Sequence, residues 1–163
     1  KEAPYKTIFV NSALEMEKEV KKEFKTADCL IMAAAVADYR VKNIENKKIK
    51  KNNENLTLEL IKNPDILSEI SKTKKKNQVI VGFCAETNDL DKNAKGKLER
   101  KNLDFIVAND VSRTDIGFSS DENEVIIYNR QGKSFFVEKS SKKEIAKKIV
   151  EYVYASKYSK NNW

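Results

Sequence analysis

Two patterns of apolar residues alternate along the chain. Continuous apolar runs, typical of buried strands, occupy residues 28–35, 79–84 and 104–108. Between and around these runs, apolar residues recur every three or four positions, which is the spacing of one helix face. This second pattern predicts helices over residues 13–25, 64–71, 90–102 and 142–156.

Shorter signals fill the intervals between these elements. Residues 7–10 and 56–60 predict two further strands, and the second is expected to be half-buried because its apolar residues alternate. Residues 40–55 show no apolar period and are predicted to form a loop. Turn residues 130–133 separate two strand-like runs, which predicts a hairpin built from residues 124–129 and 134–138.

Residues that favour helix starts precede several of the predicted helices. Ser12, with Glu15 three positions later, has the pattern of a capping box. Asn63 is the predicted cap of the second helix, with Pro64 at its first position. A serine at 140–141 is the predicted cap of the last helix.

The alternation of strands and helices predicts the fold class. No linker-like stretch divides the chain, so residues 1–163 are expected to form a single domain. We expect an α/β, three-layer Rossmann-like fold, in which a mostly parallel sheet carries helices on both faces. The C-terminal hairpin should add antiparallel strands to this sheet.

The charge is strongly basic but dispersed. The chain has 32 Lys and Arg against 25 Asp and Glu, a net charge of +7. Most of the cations are lysines on predicted helix faces and loops, whereas nucleic-acid recognition favours arginine and aromatic stacking partners. We therefore expect a solvated basic surface and no nucleic-acid partner. A basic nucleic-acid-binding domain is kept as an alternative.

The signals for targeting and redox chemistry are those of an intracellular protein. No apolar run reaches the length of a membrane span, and the N-terminal residues do not resemble a signal peptide. We expect no membrane partner and a cytoplasmic location. Cys29 and Cys84 lie in apolar runs without metal-ligand spacing, so both are expected to be buried, reduced thiols.

Missing residue types narrow the chemistry further. The chain has no histidine, which excludes imidazole catalysis and histidine-bound metals. Its four glycines form neither a G-x-G-x-x-G motif nor a phosphate-binding P-loop. Any bound phosphate would therefore be held by lysines, helix N-termini or ordinary backbone amides.

Small or polar residues follow the predicted strands at the carboxyl edge of the sheet, where open α/β sheets bind ligands. Segments 33–40, 82–88 and 107–112 follow strands, and segment 62–67 opens a helix. We expect the four to meet at this edge. A shared ligand site and a set of ordinary polar loops both fit the pattern.

Segment 33–40 is the most informative of the four. The alanines at 33–35 would let a ligand approach the backbone closely, and Asp38 follows them. The basic loop that begins at Lys48 favours an anionic ligand. An ordinary strand end followed by a solvated basic loop is the alternative interpretation.

Three further side chains also have two interpretations. Lys97 and Lys101 are four residues apart and share one side of a predicted helix. They could reach a triphosphate over the sheet edge, or lie along the helix with their charges in water. Phe83, which follows Gly82 at a strand end, is either a core residue or an aromatic wall for a base or ribose.

Seven motifs occur in the order and spacing of one known family between residues 7 and 153. They are A-A-A-V-A-D-Y-R (33–40), K-I-K-K (48–51), K-N-P-D-I-L (62–67), G-F-x-A-E-T-N (82–88), K-x-x-x-K-N-L-D (97–104), A-N-D-V-S (108–112) and G-F-x-S-D-x-N (117–123). On these motifs the chain resembles phosphopantothenoylcysteine synthetase, the ligase half of the bacterial bifunctional enzyme of coenzyme A synthesis.

The resemblance implies a reaction. The family couples 4′-phosphopantothenate to L-cysteine with CTP: an acyl-cytidylate forms with release of pyrophosphate, and the cysteine amine then displaces CMP. The resemblance assigns the nucleotide contacts to Ala33, Ala34, Ala35, Asp38, Lys48, Pro64, Asp65, Ile66, Leu67, Phe83, Lys97 and Lys101.

Catalytic and assembly roles follow from the same resemblance. Asp38 is expected to hold the Mg²⁺ that accompanies CTP, because hard cations prefer carboxylate ligands. Lys48 is expected to act with Asp38 in catalysis, as a lid residue that closes over the acyl-cytidylate. The family also implies a homodimer, for which the edge of the predicted hairpin is a natural pairing surface.

The match has one gap. The family begins with a glycine-rich strand–turn–helix that carries T-x-E-x-I-D-x-V-R-like and N-x-S-S-G-x-M-G-like runs, and neither occurs in this sequence. We expect the chain to lack that N-terminal part and to keep the nucleotide part of the site. A non-catalytic nucleotide-binding fragment is therefore the alternative to a working ligase. The resemblance leaves open whether a flavin-dependent decarboxylase domain is fused upstream in the native gene.

Overall fold

The computed structural model describes residues 5–45, 47–49, 55–112 and 120–158. Its helices are α1 (Ala13–Phe24), α2 (Ile66–Thr73), α3 (Leu90–Arg100) and α4 (Lys142–Tyr158). Its strands are β1 (Cys29–Met32), β2 (Tyr39–Val41), β3 (Leu60–Lys62), β4 (Val79–Glu86), β5 (Phe105–Asp110), β6 (Glu122–Asn129) and β7 (Ser134–Ser141).

A five-stranded sheet with the order β1-β4-β5-β6-β7 forms the centre of the molecule. β1, β4 and β5 run parallel, and α2 and α3 lie in the connections that lead into β4 and β5. β6 and β7 extend the sheet as an antiparallel hairpin beside β5. The predicted α/β class and the C-terminal hairpin are confirmed.

Apolar side chains cover both faces of this sheet. One cluster joins the sheet to α1, α2 and α3, through residues such as Phe24, Ile70 and Leu98. The other joins it to α4, through residues such as Ile149 and Val153. Helices therefore lie on both faces, as predicted. In the part of the chain that is described, no helix is both long enough and apolar enough to cross a bilayer.

Side chains cap the starts of α1, α2 and α4, and two of these three caps are the predicted ones. The Ser12 hydroxyl accepts the Glu15 N–H at 3.2 Å, which confirms the predicted start of α1. Ser141 accepts from the first turn of α4 in the same way. The predicted cap Asn63 is wrong, and so is Pro64 as the first helical residue, because Asp65 caps α2 and the helix begins at Ile66. The side chain of Asn63 is engaged in tertiary hydrogen bonds and is not available to the helix.

The predicted buried strand over residues 28–35 is shorter and more exposed than expected. β1 ends at Met32, which is its one buried residue. Within the described part of the chain, β1 hydrogen-bonds to a strand on one side only, namely β4. Cys29 is accordingly exposed, whereas Cys84 in β4 is buried as predicted, and both are free thiols. Burial raises the pKa of the Cys84 thiol to about 11.

Two of the shorter strand predictions are also wrong. Residues 7–10 form no strand, and the Phe9 side chain is 91% exposed. Residues 56–59 form none either. The strand begins at Leu60, because pairing with β2 selects residues 60–62. β2 itself contains Arg40 and Val41, which the sequence assigns to a loop, and together with β3 it forms a separate two-stranded ribbon.

Gly82 allows Leu103, which precedes β5, and Leu67 of α2 to pack closely against β4. A Cβ atom at this position would lie 2.7 Å from Leu103 Cδ1 and 3.2 Å from Leu67 Cδ1. We expect Gly82→Ala to lower the free energy of unfolding by about 1–3 kcal/mol, because the core must shift to admit a methyl group. Urea denaturation measures the change.

The matched control for this substitution is Gly96→Ala in α3. A Cβ atom at Gly96 would meet nothing within 4 Å. Since alanine favours a helix over glycine by up to about 1 kcal/mol, this variant should be at least as stable as the parent. Equal stability of the two variants would show that the packing at Gly82 is loose.

Candidate functional site

A cavity of about 390 Å³ opens where β1 and β4 end. One wall, the alanine wall, is the loop of residues 34–38 that follows β1. The opposite wall, the proline wall, is residues 62–67, which lead from β3 into α2. Met32, Phe83 and Lys101 complete the lining. The sequence prediction that segments 33–40 and 62–67 meet beside Phe83 is confirmed.

Asn63 and Arg40 connect the two walls. The side-chain NH₂ of Asn63 donates to the carbonyl of Ala37 at 2.8 Å, and its backbone N–H donates to the carbonyl of Asp38 at 2.8 Å. Arg40 Nη1 donates to the carbonyl of Lys62 at 2.6 Å and to Asn63 Oδ1 at 3.2 Å. Neither residue is among the predicted contacts, although both lie inside quoted motifs.

An ion pair lies at the mouth of the proline wall. Lys101 Nζ is 3.0 Å from an Asp65 carboxylate oxygen, and Asp65 also accepts the Ser68 N–H at 3.2 Å as the cap of α2. Burial raises the pKa of Asp65, but the hydrogen bonds from Lys101 and Ser68 outweigh this effect and leave the pKa lowered. The Asp65 carboxylate is therefore charged at neutral pH and neutralises Lys101.

Lys97 lies apart from this cavity. Its ammonium group is ion-paired with Glu86 at the end of β4, and Asn93 donates to the second Glu86 oxygen at 3.2 Å. Only 15% of the Glu86 side chain is exposed. Lys97 on α3 and Lys101 at its C-terminal cap keep the predicted four-residue helical spacing, but each is paired with a different carboxylate.

A second, more apolar cavity of about 550 Å³ lies on the α4 face. Ala33, Ala35 and Asn109 line it, whereas Ala34 and Phe83 line both cavities. Phe83 is half-buried and separates the two spaces. The strand ends that we expected to meet at one site therefore line two cavities, one on each face of the sheet. The end of β5 contributes only to the second cavity.

The two predicted catalytic residues, Asp38 and Lys48, do not lie in the same cavity. Asp38 lines the first cavity, and Lys48 is exposed and lines neither cavity. Among the described residues, no three Asp, Glu, Cys or His side chains cluster as a metal site would require. Asp38 and Asp65 in one cavity suit a Mg²⁺ ion held mainly by ligand phosphates and water. Motif positions 50–51 and 117–119 lie outside the described residues.

The comparisons with known proteins agree with this fold. Residues 1–156 match the family model described as DFP, DNA/pantothenate metabolism flavoprotein C-terminal domain, and the chain belongs to this family. The chain is 45% identical over 149 residues to the coenzyme A biosynthesis bifunctional protein CoaBC of Borreliella burgdorferi. That match covers 90% of this chain and 37% of the relative, so the chain spans little more than a third of that protein.

Solved structures show the same relationship. The crystal structure of the C-terminal domain of a coenzyme A biosynthesis bifunctional protein CoaBC matches with a TM-score of 0.71 and 32% identity, over 88% of this chain and 62% of that chain. A Cab2 mutant H337A complex with phosphopantothenate-cysteine matches with a TM-score of 0.63 at 20% identity, over 91% and 54%, and shares the fold. The family resemblance drawn from the motifs is confirmed.

Proposed function

We propose that this chain is the CTP-binding part of a ligase that joins 4′-phosphopantothenate to L-cysteine in coenzyme A biosynthesis. The observation that carries the proposal is the first cavity, where an alanine wall, a helix start and Lys101 surround about 390 Å³ at the carboxyl edge of the sheet. The names of the relatives, CoaBC and a complex with phosphopantothenate-cysteine, support the substrate class.

Each group in the cavity has a role in this proposal. The nucleotide base lies against Ala34 and Phe83, and its phosphates extend towards Lys101. Lys101 exchanges Asp65 for phosphate, since a charged phosphate oxygen is a stronger partner than a half-exposed carboxylate. Asp38, together with the phosphates, would hold Mg²⁺, which would supply positive charge against the phosphate oxygens.

The reaction has two balanced steps. A carboxylate oxygen of 4′-phosphopantothenate attacks the α-phosphorus of CTP, and the bond to pyrophosphate breaks. The amine of L-cysteine then attacks the acyl carbon, loses a proton and displaces CMP. In this scheme the positive charges of Lys48 and Lys97 stabilise the charge that develops on phosphate oxygens. Lys97 must leave Glu86 to take part.

Thermal shift with a nucleotide panel is the experiment that tests the proposal. CTP with Mg²⁺ should raise the melting temperature, and a random-sequence RNA should not. Stabilisation by RNA alone would favour the nucleic-acid alternative. Pyrophosphate release from CTP, measured with 4′-phosphopantothenate and L-cysteine on the whole natural protein, distinguishes the ligase from a nucleotide-binding fragment without activity. No CTP-dependent shift at millimolar concentration would refute the proposed function.

We also propose that the protein is a homodimer, fused in its native form to a flavin-dependent decarboxylase domain. The relatives named as bifunctional support the fusion. Large exposed apolar side chains at two places support the dimer, because a monomer rarely exposes contiguous apolar patches. Phe136 on β7 is 53% exposed, and Tyr39, Leu58 and Leu60 on or beside the β2–β3 ribbon are each 54% exposed.

The dimer gives a direct prediction for the mass in solution. Light scattering should return twice the mass of the chain at micromolar concentration, because burial of this apolar surface favours association. Dilution should shift the mass towards that of one chain. A single-chain mass at every concentration would contradict the dimer and leave the nucleotide site unaffected.

A further inference from the structure

Asn63 is the residue that joins the two walls of the first cavity. It belongs to the proline wall, and it forms hydrogen bonds to two successive carbonyls of the alanine wall, those of Ala37 and Asp38, both at 2.8 Å. Residues 33–38 belong to no helix or strand. The backbone bond to Asp38 continues the β2–β3 ladder by one pair. The side-chain bond to Ala37 reaches one residue beyond that ladder, so the Asn63 side chain holds a part of the alanine wall that no regular pairing holds.

Arg40 fixes the orientation of the Asn63 amide. A guanidinium group can only donate hydrogen bonds, so the Asn63 atom that faces Arg40 Nη1 at 3.2 Å must be the carbonyl oxygen. The NH₂ group is then turned towards the carbonyl of Ala37, which can only accept. Because Arg40 also donates to the carbonyl of Lys62 at 2.6 Å, it holds the backbone before Asn63 as well.

We propose that Asn63 and Arg40 are positioning residues that set the separation of the two walls, and through it the affinity for nucleotide. The inference rests on the proposed function and adds to it a pair of residues for which no ligand contact is predicted. A ligand that fits between two walls binds more tightly when their separation is already fixed in the free protein. Less conformational entropy is then lost on binding.

Substitutions of Asn63 separate positioning from stability. Asn63→Ala removes both side-chain bonds, and Asn63→Asp keeps the acceptor for Arg40 but loses the donor to Ala37. Each should raise the dissociation constant for CTP with Mg²⁺ by about tenfold, as measured by calorimetry at a temperature where the variant is folded.

Gln78 provides the matched control. It is a buried amide whose Nε2 also donates to two backbone carbonyls, those of Phe24 at 2.6 Å and Ala27 at 2.7 Å, and it does not line the cavity. Gln78→Ala should lower the melting temperature and leave the affinity for CTP within about twofold of the parent, because distant sites are independent. An equal loss of affinity in Gln78→Ala and Asn63→Ala would assign Asn63 to general stability and overturn the proposal.

Hydrogen exchange without ligand provides the second measurement. In Asn63→Ala, amides of the alanine wall and the proline wall should exchange faster than in the parent, and in Gln78→Ala they should not. Unchanged exchange at the walls, or unchanged CTP affinity despite faster exchange, would overturn the proposal. If the parent itself binds no CTP, the proposed function fails, while the exchange comparison still decides whether Asn63 positions the walls.

Discussion

Lys101→Ala is expected to weaken CTP binding by about 1.5–3 kcal/mol, the usual contribution of a hydrogen bond to a charged group. Lys101, the residue that directly follows α3, lines the first cavity, and its partner Asp65 lies on the proline wall. The variant should stay folded, because the side chain of Asp65 is 46% exposed and water can replace the lost ion pair. Calorimetric titration with CTP and Mg²⁺ measures the change.

Two variants on the same helix make this prediction specific. Lys97→Ala should also weaken binding, but by less than Lys101→Ala, since Lys97 lies outside the cavity and is paired with Glu86. Lys92→Ala, on the exposed part of α3, should leave affinity unchanged and alter stability by no more than about 0.5 kcal/mol. Parent-like affinity in both Lys97→Ala and Lys101→Ala would show that the two lysines form a solvated surface.

Lys48→Gln is expected to abolish most ligase turnover while it preserves the fold and most of the affinity for CTP. Lys48 is exposed and lines neither cavity, so its removal leaves no buried group without a partner. A cation that acts mainly on the transition state changes kcat far more than KM. We expect kcat to fall about 100-fold or more, the scale seen for the loss of one electrostatic stabiliser.

The assay for Lys48 is pyrophosphate release by the whole natural protein, and Lys47→Gln is its control. Lys47 is the adjacent exposed lysine and loses the same charge on substitution. Turnover should stay near the parent value in Lys47→Gln. Near-normal turnover in Lys48→Gln would transfer the catalytic role to Asp38 and to residues outside this chain.

Sequence patterns predict those elements of this fold whose partners are unambiguous. Residues 79–84 and 104–108 become β4 and β5 because each has a strand on both sides, which matches a continuous apolar run. The same type of run at 28–35 becomes the largely exposed strand β1. An apolar run alone does not determine how many neighbouring strands a strand pairs with in the sheet. Residues 56–60 fail for a related reason: pairing with β2, and not apolar alternation, selects the strand.

The sequence predicts which segments of the chain form the site, but it does not predict the hydrogen bonds and ion pairs between them. Motif order brings the alanine loop, the helix start and Phe83 to one edge, and the structure agrees. Local rules could not show that Asn63 bridges two segments, because Asn63 and Asp65 are both good helix caps and only tertiary contacts decide between them. Sequence spacing likewise gives no sign that Glu86 holds Lys97 away from the cavity.

A crystal structure of the protein with CTP and Mg²⁺ is the decisive test of the proposed nucleotide site. We expect the base between Ala34 and the residues from Pro64 to Leu67, beside Phe83, with the phosphates against Lys101 after its separation from Asp65. Nucleotide density in the apolar cavity on the α4 face, or on the basic surface away from both walls, would contradict it.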